Sequence, residues 1–415
     1  MSPRLAAAFA QTFSSARGSR NFRLYLMGHL VSAVGTWMNF TAGSWLVLRL
    51  SGGSGTALGI NAALMFGPML LLGAFGGVLA DKHDKRKILV VTQSAYACVA
   101  LAMAVLVALG GIDLWMVYSM SVLAGLVTSI DNPARQSFYV EMVGEDTLTN
   151  AVSLNSAAFM LSRVVGPALA GLLIQTVGIS ACFFVDAASY VAVLVALLVM
   201  RTGELHVQRR SSRERGHLLA GLRYIWATDD LRRPLLLMAC VFTFAFQWQV
   251  LVPLLAEHAF AASAGEFGAV SAAAGVGAFV AAMLMANRNP TPSLRLLALW
   301  GMASGAAMAA VSLAPTLWAA ALLMVPVGFA AMTFMIVGNT GLQLAARPEA
   351  RGRVMAIYGV IFLGSTPIGS PVVGWIGEHL GPRIDFALTG GLAVVLGIGA
   401  LWARRRIALG DAVPA

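Results

Sequence analysis

Long apolar runs, each ended by charge or by Gly, Pro or Asn, recur along the chain from residue 24 to residue 403. They fall at 24–48, 56–80, 88–110, 114–131, 149–176, 179–200, 234–257, 265–286, 293–314, 316–340, 353–377 and 384–403. Each is close in length to the roughly 20 apolar residues that carry a helix across about 30 Å of hydrocarbon. The pattern predicts an all-α membrane protein of twelve transmembrane helices. The fifth run is the most dilute, because Asn150, Ser153, Asn155 and Arg163 interrupt it.

The polar punctuation is lopsided. If the N-terminus is inside, the inside segments hold Arg4, Arg17, Arg20 and Arg23, then Lys82, Lys85, Arg86 and Lys87, then Arg135. They also hold the eight arginines between Arg201 and Arg233, with Arg288, Arg295, Arg347, Arg351, Arg353 and Arg404 to Arg406. The outside loops keep only Arg49 and Arg383, and Arg163 lies within a run. Cationic flanks stay cytoplasmic during insertion, so both termini are expected inside and the span number even.

The longest polar stretch, 201–233, divides the chain in two. The expected organisation is a cytoplasmic leader at 1–23, a six-helix bundle at 24–200, the cytoplasmic loop 201–233, a second bundle at 234–403 and a tail at 404–415. A weak repeat supports two halves. The fifth run carries Gly166-Pro167-Ala168-Leu169-Ala170-Gly171, and the eleventh carries Gly369-Ser370-Pro371-Val372-Val373-Gly374. Small residues let helices approach and Pro loosens them, as suits bundles that rock about a midplane site.

Composition agrees. Of 415 residues, 59% are hydrophobic and 11% charged, against about 25% charged in soluble domains. The net charge of +10 would suggest nucleic acid for a soluble chain, but here the cations belong to loops, and no nucleic-acid partner is expected. Cys98, Cys182 and Cys240 sit singly in apolar runs, which suggests neither a disulfide framework nor a metal site. The first 23 residues lack the apolar core of a cleaved signal, and one amphipathic turn is expected around Leu5–Phe13.

Between the second and third runs the chain reads Gly77-Val78-Leu79-Ala80-Asp81-Lys82-His83-Asp84-Lys85-Arg86-Lys87. This resembles the signature loop of the major facilitator superfamily, with Asp84 where the family usually has Gly. That departure makes a tight left-handed turn less assured, although Asp tolerates the conformation better than most residues. Asp131-Asn132-Pro133-Ala134-Arg135-Gln136, Asn150-Ala151, Asn21-Phe22-Arg23-Leu24-Tyr25 and Gly35-Thr36-Trp37 resemble the exporter subgroup that includes the enterobactin exporter and macrolide efflux proteins. Gly166-Pro167 with Gly171 is similar to the end of an antiporter motif. The resemblance covers the whole chain and is denser in its first half; the loop 286–290 is degenerate.

The resemblance implies a gate latch built on Gly77, Asp81, Lys85 and Arg86, with Asp81 meeting the start of the eleventh span near Gly352–Val354, where a helix N-terminus attracts an anion. Asp131 is expected to pair with Arg135 or Lys85 in that gate. Family antiporters commonly carry an Arg inside span four, and the run 114–131 has none. Proton coupling is therefore implied by the family and not by a visible relay.

Charge within a span costs about 2.5–3.5 kcal/mol on insertion scales and asks for a partner or a function. Arg163 shares a helical face with Asn155, Phe159, Ser162 and Gly166, which fits a structural pair or a substrate or proton role. Asp186 has a packing role or a proton role. Glu257 is either solvated at the end of span seven or a proton site, because a desolvated acid holds its proton more firmly. The spans that line the family's pathway offer His29, Ser32, Thr36 and Asn39, then Thr243, Gln247 and Trp248, then Met332, Met335 and Asn339 as substrate contacts. Aromatic and Met surfaces with sparse polar groups suit bulky amphipathic ligands, and they also simply pack bundles.

The expected function is secondary active export of a drug-like or siderophore-like small molecule by proton antiport, as a monomer in a bacterial inner membrane. Import or uniport on the same fold is the close alternative. No lysine follows a Gly as a P-loop demands, so ATP drive and other cofactors are not expected. Six scattered histidines without a His-Glu-x-x-His array leave a membrane enzyme as a remote reading.

Overall fold

The computed structural model describes residues 14–144, 146–206, 217–286 and 292–410. Among them there is no strand. The helices are α1 (Ser14–Gly18), α2 (Arg20–Ser51), α3 (Gly55–Lys82), α4 (Lys85–Ala108), α5 (Leu114–Val143), α6 (Leu148–Thr176) and α7 (Ile179–Val199). The second half holds α8 (His217–Ala227), α9 (Asp229–Phe244), α10 (Trp248–Leu254), α11 (Ala264–Ala286), α12 (Leu294–Ser312), α13 (Leu317–Ala345), α14 (Arg351–Leu380) and α15 (Pro382–Gly410). The turn expected at Leu5–Phe13 lies outside the described residues.

Eleven helical tracts are long and apolar enough to cross a membrane. The twelfth long helix, α2, is missing from that set because His29, Ser32, Thr36 and Asn39 dilute it, whereas the fifth run, expected to be weakest, qualifies as α6. Many helices outrun their apolar stretches. α2 starts four residues before its run, and α5 continues twelve residues past Asp131. Helical residues beyond the hydrocarbon take polar side chains, so an apolar run marks the crossing and not the helix end. The expected polar loop 201–233 contains α8 and the start of α9, and α15 extends through residues assigned to the tail.

The chain divides into two compact units. Unit one comprises residues 1–46 and 67–212, and unit two comprises 47–66 and 213–415. In unit one α4 packs on α5 and α7. Its core, at the cation-rich end, gathers Phe22, Tyr25, Leu89, Ala134, Phe138, Tyr139, Met142 and Leu197. Phe22 comes from the stretch expected to be a leader and anchors its end beside Tyr25 of the first crossing. Nearby, Ser15 donates to Asn150 Oδ1 from its Oγ at 2.6 Å. Asn21 exchanges two hydrogen bonds with the Arg201 backbone at 2.9 and 3.0 Å.

In unit two α11 packs on α13, α12 on α15, and α9 on α14. The seventh crossing, expected as one run, is broken: α9 ends at Phe244, α10 starts at Trp248, and a π-turn follows at Leu255–Ala259. The repeat has a structural counterpart. A Cβ on Gly166 would meet Trp37 Cβ at 2.5 Å and the Val34 carbonyl at 2.9 Å, so α6 touches α2 there. A Cβ on Gly369 would strike the Thr243 carbonyl, so α14 touches α9. In each half the fifth crossing meets the first through a glycine at the repeated motif, where small residues permit backbone contact.

Candidate transport site and gate

Buried polar groups gather in three clusters within unit one. The first begins at Tyr25, which stacks on His29 with centroids 5.7 Å apart. His29 is 7% exposed and lies 2.8 Å from Arg135 Nη1 through its Nδ1. Arg135 has no acceptor of its own, so the imidazole nitrogen facing it must accept. Arg135 also forks onto Asp131, with Nε donating to Oδ2 at 2.9 Å and Nη2 to the same oxygen. The other oxygen, Oδ1, accepts from Thr92 Oγ1 at 2.7 Å and Gln93 Nε2 at 2.9 Å. The carboxylate is thus fully satisfied away from water, as a buried charge requires.

This pairing revises two expectations. Arg135 is inside the fourth crossing helix, one turn beyond Asp131, because α5 runs to Val143. Of the two partners expected for Asp131, Arg135 is the one observed; Lys85 instead pairs at 2.5 Å with Glu141, which α5 carries beyond the expected span end at Asp131.

In the second cluster, Tyr96 lies 2.6 Å from Thr128 Oγ1 and stacks on Tyr190, with centroids 5.3 Å apart. Tyr190 Oη lies 3.2 Å from Thr36 Oγ1, which also donates to the Ser32 carbonyl at 3.0 Å. The third holds Asp186, 1% exposed. Asn39 Nδ2 donates to its Oδ2 at 2.6 Å, and its Oδ1 has no donor. Of the four expected on α2, His29 meets Arg135, Thr36 meets Tyr190, Asn39 meets Asp186, and Ser32 is buried.

Arg163 stands over the Trp37 ring at 5.2 Å, and Phe159 closes the same ring edge-on at 5.6 Å. No carboxylate pairs with Arg163 among the described residues. The face shared with Gly166 and Ser162 is turned toward α2, and a cation–π contact takes the place of an ion pair.

At the cation-rich end, Asp84 has φ −62° and ψ 114° and accepts from the Lys87 amide at 3.1 Å. It is the N-cap of α4, so the departure from Gly exchanges a permissive turn residue for a capping one. Arg86 donates to the Leu197 and Leu198 carbonyls at 2.6 and 3.3 Å, a cation on the C-terminal carbonyls of α7. Asp81 is half-buried in the last turn of α3. Gly77 has open space around its missing Cβ, whereas a Cβ on Gly76 would strike the Ser129 carbonyl of α5. The close approach belongs to the neighbouring glycine.

In unit two Gln247 is 3% exposed and donates Nε2 to the Phe242 and Thr243 carbonyls at 2.8 and 3.0 Å. Those carbonyls lose helical partners at the break after Phe244, and the amide replaces them. Thr243 Oγ1 donates to the Ala239 carbonyl at 2.7 Å. Trp248 and Met335 are half-buried, and Trp248 lies 5.6 Å from the Phe246 ring. Asn339 Oδ1 accepts from Gln343. Phe242 sits among Phe246, Phe334, Tyr358 and Phe362 at 5.2 to 6.4 Å. Glu257 is half-buried in the π-turn, and its Oε2 is buried without a donor.

Also in unit two, Glu378 Oε2 accepts from Ser54 Oγ and the Thr56 amide, both at 2.8 Å, capping the start of α3. Ser370 Oγ donates to the Gly59 carbonyl at 2.9 Å. Thr92, Gln93, Tyr96, Glu141, Tyr190, Gly76 and Glu378 were not singled out from the sequence. Gln93 was the most discoverable, as an amide in the middle of an apolar run.

A family model described as transmembrane secretion effector matches residues 11–414. The multidrug efflux pump Tap of Mycolicibacterium fortuitum is 27% identical, covering 92% of this chain and 95% of that one. The enterobactin exporter EntS of Shigella boydii is 24% identical over 82% of each chain. A crystal structure of a peptide transporter bound to alafosfalin superposes with a TM-score of 0.76 at 14% identity, covering 94% of this chain and 95% of that one. A bacterial homologue of the lysosomal transporter Spinster does so at 0.73 and 14%, covering 92% and 96%.

Proposed function

The chain belongs to the transmembrane secretion effector family of the major facilitator superfamily and is a multi-pass membrane transporter; from that premise we propose that it exports an amphipathic small molecule of the drug or siderophore class by proton antiport. It works as a monomer in the bacterial inner membrane with both termini cytoplasmic. Small-molecule export is what the names of two relatives, a multidrug efflux pump and an enterobactin exporter, describe. The observation that carries proton coupling is Asp186, a buried carboxylate with one oxygen lacking a donor. An intramembrane acid of this kind is a site for a proton to load and leave.

In this reading Asp186 carries the exchanged proton, and Asp131, locked to Arg135, holds the α2–α4–α5 contact. Glu257 is a second acidic candidate. Trp37 with Arg163, and Trp248 with Met335 and Asn339, supply the aromatic and polar contacts to substrate. Gly77, Asp81, Lys85 and Arg86 belong to the gate, whose cations are already engaged within unit one.

The test is flux in proteoliposomes across a panel of drugs and siderophores, with and without an imposed pH gradient. Uphill transport that appears only with the gradient, and vanishes in Asp186→Asn while downhill exchange continues, is the expected result. Flux indifferent to the gradient would end the antiport reading and leave uniport on the same fold. Net movement toward the compartment carrying the 201–233 segment would mean import.

A further inference from the structure

The second unit contains a carboxylate that the pathway does not use. Asp385, in the first turn of α15, is 1% exposed, and neither of its oxygens has a hydrogen-bond partner. Its Oδ2 lies where a Cβ on Gly377 of α14 would meet it at 2.8 Å, and the same Cβ would meet Leu254 Cδ1 at 2.8 Å. The acid is thus wedged between the backbone of α14 and an apolar side chain of α10.

The charged groups around it are engaged elsewhere. On its own helix, Arg383 donates to the Ser312 carbonyl at 3.3 Å and stands over the Phe260 ring at 5.0 Å. On α14, Glu378 accepts from Ser54 and Thr56, and His379 stacks on Trp375 with Nδ1 3.0 Å from that residue's carbonyl. The π-turn brings Glu257 and His258, an acid and an imidazole, and α10 brings no titratable group. Arg295 is at the far end of α12 from Ser312, about 25 Å along the helix. α9 carries Asp229, Asp230, Arg232 and Arg233 in its first turns, with both arginines on Asp229, and Cys240 further along.

A carboxylate charge with neither a cation nor a donor in reach, and no water contact, is among the costliest arrangements a protein can hold. The N-terminal dipole of α15 favours an anion, but that term is far smaller, and no amide of the first turn reaches the carboxylate. A metal ion needs several oxygen ligands around it, and the wedge against Gly377 has no room for them. A proton needs none.

We propose that Asp385 is a proton-binding site of the second unit, a carboxyl that is protonated while α14 is seated against it at Gly377 and releases the proton to water when α14 withdraws. The proposal goes beyond the antiport reading and does not depend on it, since the protonation state is measured without transport.

Infrared spectroscopy of the purified full-length protein in detergent reports the carbonyl stretch of protonated carboxylic acids. Just above the pH at which ordinary carboxylates have ionised, Asp385→Asn is expected to lose the intensity of one acid group, and the wild-type protein to lose that intensity in a one-proton step as pH is raised further, a step that the variant lacks. An acid band of undiminished height in Asp385→Asn would overturn the proposal. So would a variant that fails to fold, because a neutral isostere must be tolerated where the native group is itself neutral. Loss of gradient-driven transport in Asp186→Asn leaves this result unaffected, so the two readings fail separately.

Discussion

Asp131→Asn tests the polar core of unit one most directly. The native carboxylate receives Arg135, Thr92 and Gln93, and its side chain is 4% exposed against 20% for Arg135. Asparagine keeps the shape and one acceptor, so Thr92 and Gln93 can still donate to it. Its amide group, however, turns two donors toward a guanidinium that has only donors, and His29 becomes the one acceptor left to Arg135 in the set described here. Removing one member of a buried ion pair costs about 3–5 kcal/mol, chiefly because the other charge stays behind uncompensated. The expected loss for Asp131→Asn is therefore about 4 kcal/mol. Arg135→Gln leaves Asp131 with two donors and should cost less, about 2–3 kcal/mol, the worth of one charge-assisted bond. The double variant should recover at least about 1 kcal/mol of the sum, as expected of contacting residues in one network. Unfolding in a denaturing detergent, followed by circular dichroism on the three variants, measures this cycle. Strictly additive losses would refute the reasoning, because they would mean the two charges do not need each other.

Three further outcomes follow from the same geometry. Gly76→Val should destabilise the α3–α5 contact by about 1–3 kcal/mol or more, while Gly77→Ala one residue on should be tolerated; the monodisperse yield of the two proteins compares them. Asp84→Ala should cost about 1 kcal/mol by removing the N-cap of α4, and Asp84→Asn should cost much less, measured by the same unfolding assay. Glu378→Ala should cost no more than about 1 kcal/mol, because the cap on α3 is largely exposed, yet it should accelerate hydrogen exchange at the Thr56 amide, which mass spectrometry of the α3 peptide detects.

The fold was legible because lipid imposes a simple rule: apolar length marks each crossing, and cations mark the loops. What the rule does not record is where a helix ends. Arg135 and Glu141 looked like loop residues because they follow the apolar run, yet both are helical and both hold buried or half-buried ion pairs. The break in the seventh crossing was hidden for the opposite reason. Phe246, Gln247 and Trp248 read as three more residues of a membrane run, and only the donation of Gln247 to Phe242 and Thr243 carbonyls shows that the backbone ladder is interrupted. Glycines were similarly ambiguous. Motif resemblance pointed to Gly77, while the backbone contact falls on Gly76, a distinction of about 100° around α3 that depends on which neighbour packs there.

The polar residues of the crossings divide by what they already hold. His29 accepts from Arg135, Thr36 meets Tyr190, Asn39 donates to Asp186, and Gln247 mends a helix break. A group engaged in this way cannot also grip a substrate without leaving a buried partner unsatisfied, at about 1–3 kcal/mol each. Specificity carried by such residues would be costly at every turnover. Arg163 is different, because its guanidinium rests on an aromatic face, and a cation–π contact of roughly 0.5–2 kcal/mol leaves its five donors available to an incoming acceptor. The half-buried Trp37 and exposed Phe159 of unit one, and separately the half-buried Trp248 and Met335 of unit two, make few demands on hydrogen bonding and can exchange one apolar contact for another. In the proposed export, surfaces of that composition select for size and flatness more than for a particular pattern of polar groups, and this is the physical ground for proposing a broad set of amphipathic substrates.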